Sequence, residues 1–389
     1  MVLASKTYLD YAATTPVDER VINAMLPYFS KRFGNPSSVH AYGQEAEAAL
    51  ESARETMAGL LSCQPDEIIF TSCGSESDNL ALRGVAFANR QARGANHILI
   101  SPVEHHAVLQ TARQLADLHG FELELLPVDE YGRVNPEEVA DRLRPETAVV
   151  SVMYANNEIG TVNPISEIGT VCRERGVYFH TDAVQGAAHL MVDVQALNVD
   201  LMSIGAHKFY GPKGVGALYI RKGTSLMPSQ TGGSQEYGLR AGTHNIPYIM
   251  GMAEAFRIAQ TEREEHAERL LGLRDHIIGQ VLEEIPDSRL TGHPSQRLPN
   301  HASFVFEGSD GNALLMLLDV EGFACSSGSA CKTGDPEPSE VLTAVGLPRE
   351  WALGSLRVTL GRPTTADQVE AFLEVLPELV ERTRILRFS

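Results

Sequence analysis

The sequence predicts an α/β protein with a large domain built on a mostly parallel sheet and a smaller α+β domain at the C-terminal end. Up to about Thr261, short β-rich runs alternate with helical patterns. Strands that are separated by helices of this length are typical of βαβ units. From about Glu262 a long, charged helical pattern follows, and mixed strands and helices come after it. A chain of 389 residues has room for two such domains, since a domain averages about 150 residues.

The strands of the large domain are predicted from runs of β-branched and other apolar residues. These runs are Glu67–Thr71, His97–Ser101, Glu122–Val128, Ala148–Tyr154, Val177–Thr181, Leu201–Ile204 and Val215–Ile220. Helical patterns between several of them cover Ala107–Leu118, Pro136–Leu143 and Pro164–Arg175. Parallel sheets bind ligands at the carboxyl ends of their strands, so the residues that follow each run are the first candidates for chemistry.

The small domain is predicted to open with a helix over 262–285, because its apolar residues recur on one face. The elements expected after it are a strand at Ala302–Phe306, a helix at Asn312–Val320, a strand at Ser355–Leu360 and a last helix from about Thr364 to Arg384 with a kink at Pro377. We therefore expect a large domain over residues 15–261 and a small domain over 262–389, with residues 1–14 packing on the small one.

Composition excludes several function classes. Hydrophobic residues make up 43% of the chain and the formal net charge is −18. Such a negative surface repels phosphate backbones and anionic membranes, so we expect no direct nucleic-acid partner. The sequence has no apolar run of about 18 residues and no secretory signal, so we expect no membrane partner. Five cysteines are too sparse for a disulfide framework, which favours a cytoplasmic protein.

The first chemical motif is the Ser/Gly-rich run Thr-Ser-Cys-Gly-Ser-Glu-Ser-Asp-Asn at 71–79. It follows a β-rich run and precedes a helix that is predicted to start near Asn79. Backbone amides at a helix N-terminus, together with hydroxyls, form a cradle that suits phosphate. Gly74 and Ser75 are the candidate residues, although an ordinary helix cap would give the same pattern.

Two later strands deliver reactive side chains at their carboxyl ends. Asp182 ends one run, where a carboxylate can hold a protonated ring nitrogen, although a helix cap is the simpler interpretation. Lys208 follows another run, and a desolvated lysine loses its proton more easily and becomes a nucleophile toward a carbonyl carbon. A lysine in that place is more often solvated surface.

The C-terminal region adds a thiol and a guanidinium. Cys331 lies in a Ser/Gly-rich run next to Lys332, which favours the thiolate, although an incidental surface thiol is the alternative. Arg357 lies in an apolar strand, and a buried guanidinium is costly without an anion. A carboxylate is its natural ligand, either from a bound molecule or from an internal salt bridge.

The sequence offers no sign of a metal or dinucleotide site. His105 and His106 are adjacent, so they would point apart on a helix, and no Cys/His spacing suits zinc. The Gly214–Gly216 pair lacks the third glycine of a dinucleotide fingerprint and leads into a strand. We therefore expect no metal.

The order of the motifs is more specific than any one of them. It includes Tyr8–Pro16 (Tyr-Leu-Asp-Tyr-Ala-Ala-Thr-Thr-Pro), Gly34–Ser38, Glu76–Asn79, Glu104-His105, Asn156–Gly160, His207-Lys208 and Ser326–Cys331. Over nearly the whole chain this order resembles the cysteine desulfurase family of the NifS/IscS type. That family belongs to the class V aminotransferase group, whose fold is the fold-type I of pyridoxal 5'-phosphate (PLP) enzymes.

The resemblance implies PLP as the cofactor and assigns roles around its ring. Lys208 would form the covalent bond to PLP, and Asp182 would pair with the ring nitrogen. Gln185 would hydrogen-bond the ring hydroxyl. His105 would stack on the ring and move protons, and Asn157 would also contact the cofactor.

The resemblance also implies how phosphate, substrate and sulfur are bound. Gly74, Ser75 and His207 would bind the phosphate, with Thr243 reaching in from the other subunit of a homodimer. The substrate carboxylate would be held by Asn157 and Arg357. Cys331 would attack the substrate sulfur.

The function that the resemblance implies is removal of sulfur from L-cysteine. The products would be L-alanine and a Cys331 persulfide, which is passed to acceptor proteins such as an iron–sulfur scaffold or tRNA thiolation factors. A selenocysteine or cysteine-sulfinate lyase, or an inactive partner protein in sulfur transfer, are the alternatives. Gly205 departs from the family's usual phosphate-binding serine, which implies weaker PLP retention. Cys325 is expected to be a small packed residue, although a disulfide with Cys331 or a sulfur relay is the alternative.

Overall fold

The computed structural model describes residues 6–328 and 337–387. Its strands are β1 (Thr7–Tyr8), β2 (Ile68–Thr71), β3 (His97–Ile100), β4 (Glu122–Leu125), β5 (Thr147–Ser151), β6 (Tyr178–Asp182), β7 (Leu201–Gly205), β8 (Gly216–Ile220), β9 (Ser288–Leu290), β10 (His301–Phe306), β11 (Phe323–Ala324) and β12 (Ser355–Thr359). The predicted strands are present, and those predicted at Glu122–Val128 and Ala148–Tyr154 end earlier, because the chain turns away to build the loops beyond them.

Helices cover the sheet and build most of the C-terminal region. They are α1 (Glu19–Met25), α2 (Pro27–Ser30), α3 (Ala41–Leu61), α4 (Gly74–Arg93), α5 (His106–His119), α6 (Pro136–Arg142), α7 (Ile165–Glu174), α8 (Gly186–His189), α9 (Ile246–Thr261), α10 (Arg263–Glu284), α11 (Gly311–Val320), α12 (Glu340–Ala344), α13 (Arg349–Ala352) and α14 (Ala366–Arg387). Pro377 lies inside α14. In the described ranges, no helix combines the length and apolar character that crossing a membrane requires.

A seven-stranded sheet in the order β2-β8-β7-β6-β5-β3-β4 forms the centre of the fold. Neighbouring strands from β7 through to β4 run parallel, whereas β8 runs antiparallel to both β7 and β2. All strands of this sheet except β8 therefore point the same way. Strands β5, β7 and β8 are buried at every residue, as expected for a sheet that helices cover on both faces. This confirms the predicted α/β class with a mostly parallel sheet.

The apolar core falls into separate clusters. One combines residues between Val21 and Ala259 and another combines Leu9 with residues between Leu270 and Val380, around the antiparallel sheet β12-β10-β9. Strand β1 pairs with β11 of the C-terminal region, and Asp10 bridges to Thr359. These two clusters agree with the division at residues 261/262 and with the packing of the N-terminal segment on the small domain, whereas a smaller cluster joins Val103 and Ile159 to Val305 and Trp351 across that boundary. Both the division and the packing remain predictions.

One element begins earlier than the sequence predicts. Helix α4 starts at Gly74, not near Asn79, so the Ser/Gly-rich run is its first turn and not a loop. The helix is favoured there because the Glu76 carboxylate accepts the backbone N–H of Ser72 at 2.6 Å, while the Ser77 hydroxyl packs against Thr71 at 2.8 Å. These side-chain contacts stabilise a first turn that local propensity alone disfavours.

Candidate active site

The carboxyl ends of the six strands that point the same way meet at one edge of the sheet, and a cavity of about 240 Å³ lies there. The residues predicted from the sequence that line it are Gly74, Ser75, His105, Asn157, Asp182, Gln185, His207, Lys208 and Arg357. They follow β2, β3, β5, β6 and β7, except for Arg357 on β12. Thr243 is exposed and does not line the cavity of its own chain. Cys331 lies outside the described residues.

Lys208 ends a short 3-10 turn directly after β7, and its amine points into the cavity. Its Nζ atom donates to the backbone oxygens of Ala12 at 2.5 Å and Ala13 at 2.7 Å. Burial, and after it the nearby positive charge of Arg357, lower the pKa of Lys208 to about 8, although the charges of Asp182 and Asp10 oppose this shift. The side chain is therefore a buried amine whose neutral, nucleophilic form is accessible near neutral pH.

Asp182 is the last residue of β6 and is 4% exposed. Its Oδ1 atom accepts the backbone N–H of Val184 at 2.8 Å. Burial raises the pKa of Asp182, while the charges of His105 and Lys208 lower it. A cationic group beside this carboxylate would compensate for its desolvation, which is the chemistry expected of a protonated ring nitrogen.

A buried network of hydrogen-bonded side chains on β5, β6 and β7 lies behind Asp182. His180 contacts the Ser151 hydroxyl through Nδ1 at 2.8 Å and the Ser203 hydroxyl through Nε2 at 3.0 Å. Burial lowers the pKa of His180 to about 3, so its ring is neutral at physiological pH. This network thus satisfies the hydrogen-bonding groups of the buried side chains under the site without adding charge.

Two further buried carboxyls, Asp78 and Glu104, were given no role from the sequence. Burial and the charge of Asp182 raise the pKa of each. Glu104 accepts the backbone N–H of Met153 at 2.6 Å, and Asp78 Oδ1 has no hydrogen-bond partner in the described part of the chain. Metal-ligand atoms of Asp78, Asp182 and His105 lie within 4.8 Å of one another, so the expectation of no metal remains untested. Asp78 and Glu104 lie within the Glu76–Asn79 and Glu104-His105 motifs, so the sequence could have identified both residues as candidates.

The N-terminal end of helix α4, which also lines the cavity, is suited to an anion. Cys73 precedes α4 in extended conformation and provides no side-chain cap, so the first amides of the helix are left for another acceptor. A Cβ atom on Gly74 would lie 2.6 Å from Val184 Cγ2, so a side chain there would displace this wall. His207 contacts the Thr14 hydroxyl at 3.2 Å, and burial lowers its pKa to about 4.

His105 and Gln185 also line the cavity. Nδ1 of His105 accepts the backbone N–H of Ala107 at 3.1 Å and caps α5, so a neutral ring carries its proton on Nε2. Desolvation lowers the pKa of His105, which favours this neutral form. The Gln185 amide donates to the backbone oxygen of Ala12 at 2.8 Å, which fixes its orientation.

Arg357 lines the cavity from β12 and is 7% exposed. Its Nη2 atom donates to Asp10 at 2.7 Å and its Nη1 atom to the backbone oxygen of Asn157 at 3.0 Å. The same oxygen lies 3.1 Å from Nε2 of His301. The internal salt bridge weighed for Arg357 is therefore present, although Nε is buried and has no partner among the described residues.

These groups fit PLP. An anion site at a helix N-terminus, a buried carboxylate and a buried amine match the phosphate, the ring nitrogen and the aldehyde of that cofactor. The fold and the site together define an enzyme of the PLP-dependent fold-type I class. The aminotransferase class-V model matches residues 7–372, and the chain belongs to this family, whose members use PLP.

Similar proteins agree with this class. The chain is 49% identical over 377 residues to "Cysteine desulfurase IscS" of Methanosarcina thermophila, covering 97% of this chain and 92% of that protein. It is also 49% identical to "Cysteine desulfurase IscS" of Dictyoglomus turgidum, covering 98% and 96%. Among solved structures, a "NIFS-LIKE PROTEIN" superposes with a TM-score of 0.90 at 36% identity, covering 97% of this chain and 100% of that one.

Proposed function

We propose that this protein is a PLP-dependent cysteine desulfurase that converts L-cysteine to L-alanine and receives the sulfur on Cys331. The observation that carries the proposal is the cavity itself. It combines the buried amine of Lys208, the buried carboxylate of Asp182 and a guanidinium for a substrate carboxylate. Relatives named cysteine desulfurase, at 49% identity over nearly the full length, support cysteine as the substrate.

We assign the cofactor-binding roles that the resemblance to the family implies, and the common location of these side chains at one cavity supports them. Gly74, Ser75 and His207 bind the phosphate at the N-terminal end of α4. Asp182 pairs with the ring nitrogen, and Gln185 hydrogen-bonds the ring hydroxyl. Two remaining contacts are His105, which stacks on the ring, and Asn157 on the loop after β5.

Bound PLP supplies an electron sink for the bonds at the substrate α-carbon. Lys208 would hold the cofactor covalently, and its amine, once free, would accept a proton near the substrate α-carbon, because its lowered pKa of about 8 favours the neutral form. His105 offers its Nε2 side to the cavity and acts as a second proton carrier. Arg357 and Asn157 orient the substrate through its carboxylate.

The sulfur-transfer step requires a thiolate. The Cys331 thiolate forms a bond to the substrate sulfur, the Cβ–S bond breaks, and the β-carbon gains a proton. The balance is L-cysteine plus a thiol giving L-alanine plus a persulfide. The segment that leads toward Cys331 begins beside the site, because Ser326 pairs with Arg357 through backbone contacts of 2.7 and 3.2 Å.

The decisive experiment is mass spectrometry of the protein after incubation with L-cysteine. We expect one added sulfur atom on the peptide that carries Cys331, and none in the Cys331→Ser variant. That variant should still bind the cofactor, whereas Cys325→Ser serves as the matched control and should still gain the sulfur. Alanine release without modification of Cys331 would overturn the proposal.

The alternative functions give different results in the same assay. A selenocysteine or cysteine-sulfinate lyase needs no attacking thiol, so Cys331→Ser would keep most of its activity on those substrates. An inactive partner protein would neither release alanine nor take up PLP. The complete set of Lys208, Asp182 and His105 at one cavity argues against the inactive partner.

We further propose that the enzyme is a homodimer in which Thr243 reaches the phosphate of the other subunit. An exposed apolar surface supports an interface on the large domain; its residues are Ile22, Leu26, Phe29, Phe33, Val39 and Tyr42. A second copy would cover these side chains, since large exposed apolar residues that lie together mark interaction surfaces. Sedimentation equilibrium should give twice the chain mass of 42.3 kDa, and a monomer at micromolar concentration would contradict the proposal.

The persulfide has to be consumed, so we propose sulfur-acceptor proteins of the cytoplasm as partners, such as an iron–sulfur scaffold. Reduced cysteines at sparse spacing suit that compartment. Radiolabelled sulfur from cysteine should pass from Cys331 to a purified scaffold protein but not to serum albumin. Equal labelling of both would show unspecific transfer of the persulfide sulfur to any accessible thiol and not directed transfer.

A further inference from the structure

The N-terminal segment 8–15 connects two side chains of the site, Arg357 on β12 and Lys208 in the turn after β7. Asp10 bridges to Thr359 on β12, and the Leu9 oxygen accepts the Thr359 N–H at 2.8 Å. The Ala12 N–H donates to the Thr359 hydroxyl at 2.9 Å. The backbone oxygens of Ala12 and Ala13 then receive the Lys208 amine. Asp10 is thus held at a fixed position between the small-domain sheet and the reactive lysine.

Asp10 fixes one side of the Arg357 guanidinium. Its Oδ1 atom lies 2.7 Å from Nη2, while the Asn157 oxygen lies 3.0 Å from Nη1. The Nε atom is buried and has no partner in the described ranges, and the Arg357 side chain lines the cavity. Arginine favours bidentate geometry toward carboxylates, so a ligand carboxylate in the cavity can bind the guanidinium that these two contacts orient.

We propose that Asp10 is a positioning residue that orients the Arg357 guanidinium and thereby sets the preference of the site for ligands with a free α-carboxylate. The inference rests on the role of Arg357 in the proposed function. With Asp10 in place, the guanidinium is anchored on two sides before the substrate arrives, so less orientational freedom is lost on binding. Without it, a buried cation would keep one protein partner and turn toward other acceptors.

The experiment compares L-alanine with ethylamine, two molecules that differ only by the carboxylate. Their dissociation constants are measured by calorimetry on the PLP-loaded protein and on its Asp10→Asn variant. We expect L-alanine binding to weaken by about tenfold in Asp10→Asn, the effect of one lost charge-assisted hydrogen bond. Ethylamine binding should stay within about twofold, because general damage to the site would weaken both ligands together. The KM for L-cysteine should rise in parallel, with kcat changing less.

Two reference variants separate the inference from the proposed function. Asp319→Asn removes the exposed Lys6–Asp319 ion pair (2.6 Å) of the same N-terminal segment and should leave both dissociation constants unchanged. Arg357→Gln should abolish the preference for L-alanine over ethylamine. If Arg357→Gln abolishes this preference and Asp10→Asn does not alter it, Asp10 has no positioning role. Tighter L-alanine binding in Asp10→Asn would show competition for Arg357 and would also overturn the inference. A wild type without any preference would overturn it together with the proposed role of Arg357.

Discussion

The Nζ atom of Lys208 lies 2.7 Å from the backbone oxygen of Ala13, a residue 195 positions away in the sequence. A carbonyl oxygen accepts a hydrogen bond from an ammonium group but carries no full charge to compensate it. Burial therefore dominates and lowers the pKa of Lys208 to about 8. The N-terminal segment thus holds the reactive amine in place without neutralising it, and this relationship makes a nucleophilic lysine possible at physiological pH.

The lowered pKa predicts how covalent PLP capture depends on pH. Capture requires the neutral amine, so its rate in cofactor-free protein should rise with pH and level off above about 8. An ordinary lysine, with a pKa of about 10.4, would keep gaining rate well beyond that point. The measurement is the visible absorbance of PLP mixed with the protein at a series of pH values, with N-acetyl-lysine as the control. A protein profile that follows the control would contradict this account.

Replacing Gly205 by serine should tighten the binding of PLP. A Cβ atom there would meet Val184 Cγ1 at 3.4 Å and the Gly74 N atom at 3.5 Å, which are ordinary contacts, and the backbone is extended at φ −127°. A serine therefore fits and adds a hydroxyl at the anion end of the cavity. Gly205→Ser should bind PLP about three- to tenfold more tightly, as one new hydrogen bond allows. Equilibrium dialysis measures the change, and Gly205→Ala is the matched control. Equal affinities of the two variants would exclude a phosphate contact.

Disrupting the buried ion pair Arg54–Glu236 should cause a large loss of stability. Glu236 accepts two hydrogen bonds from Arg54, at 2.9 and 3.0 Å, and one from the Phe70 N–H at 2.8 Å. It also has a φ of +46°, and Tyr237 has a φ of +56°, so the pair holds a backbone that local preference disfavours. Glu236→Gln should cost about 3–5 kcal/mol in the free energy of unfolding, because it leaves the buried Arg54 with only the partly exposed Glu51 as a counter-ion.

Urea unfolding of the PLP-saturated protein measures this loss. The control is Glu51→Gln, which removes the partly exposed carboxylate that contacts Arg54 at 3.3 Å. A pair of that kind contributes about 0–1 kcal/mol, so the control should unfold almost as the wild type does. If Glu236→Gln and Glu51→Gln cost the same, the Arg54–Glu236 pair does not stabilise the fold.

The sequence predicted those parts of the site that depend on strand ends. Asp182 and Lys208 could be found because each follows an apolar run, and the carboxyl ends of parallel strands converge. Contacts between distant segments could not be found this way. The Asp10–Arg357 ion pair joins residues 347 positions apart, and only the folded chain shows that Arg357 already has a carboxylate partner.

The burial of polar side chains could not be predicted from the sequence either. Asp78 lies in a helix that was predicted to begin one residue later, so its side chain was assigned to a polar turn. In the structure it is 1% exposed and lines the cavity. The polar composition of the 71–79 run concealed the fact that the first turn of α4 packs against the sheet.

The central claim is that Lys208 forms the covalent bond to PLP, and borohydride reduction tests it most directly. Reduction of the PLP-loaded protein followed by peptide mapping should place one cofactor on the peptide that contains Lys208. Lys208→Ala should lose this label, and the neighbouring variant Lys213→Ala should keep it. Label on another lysine, or fully loaded wild-type protein from which reduced cofactor washes away, would contradict the account.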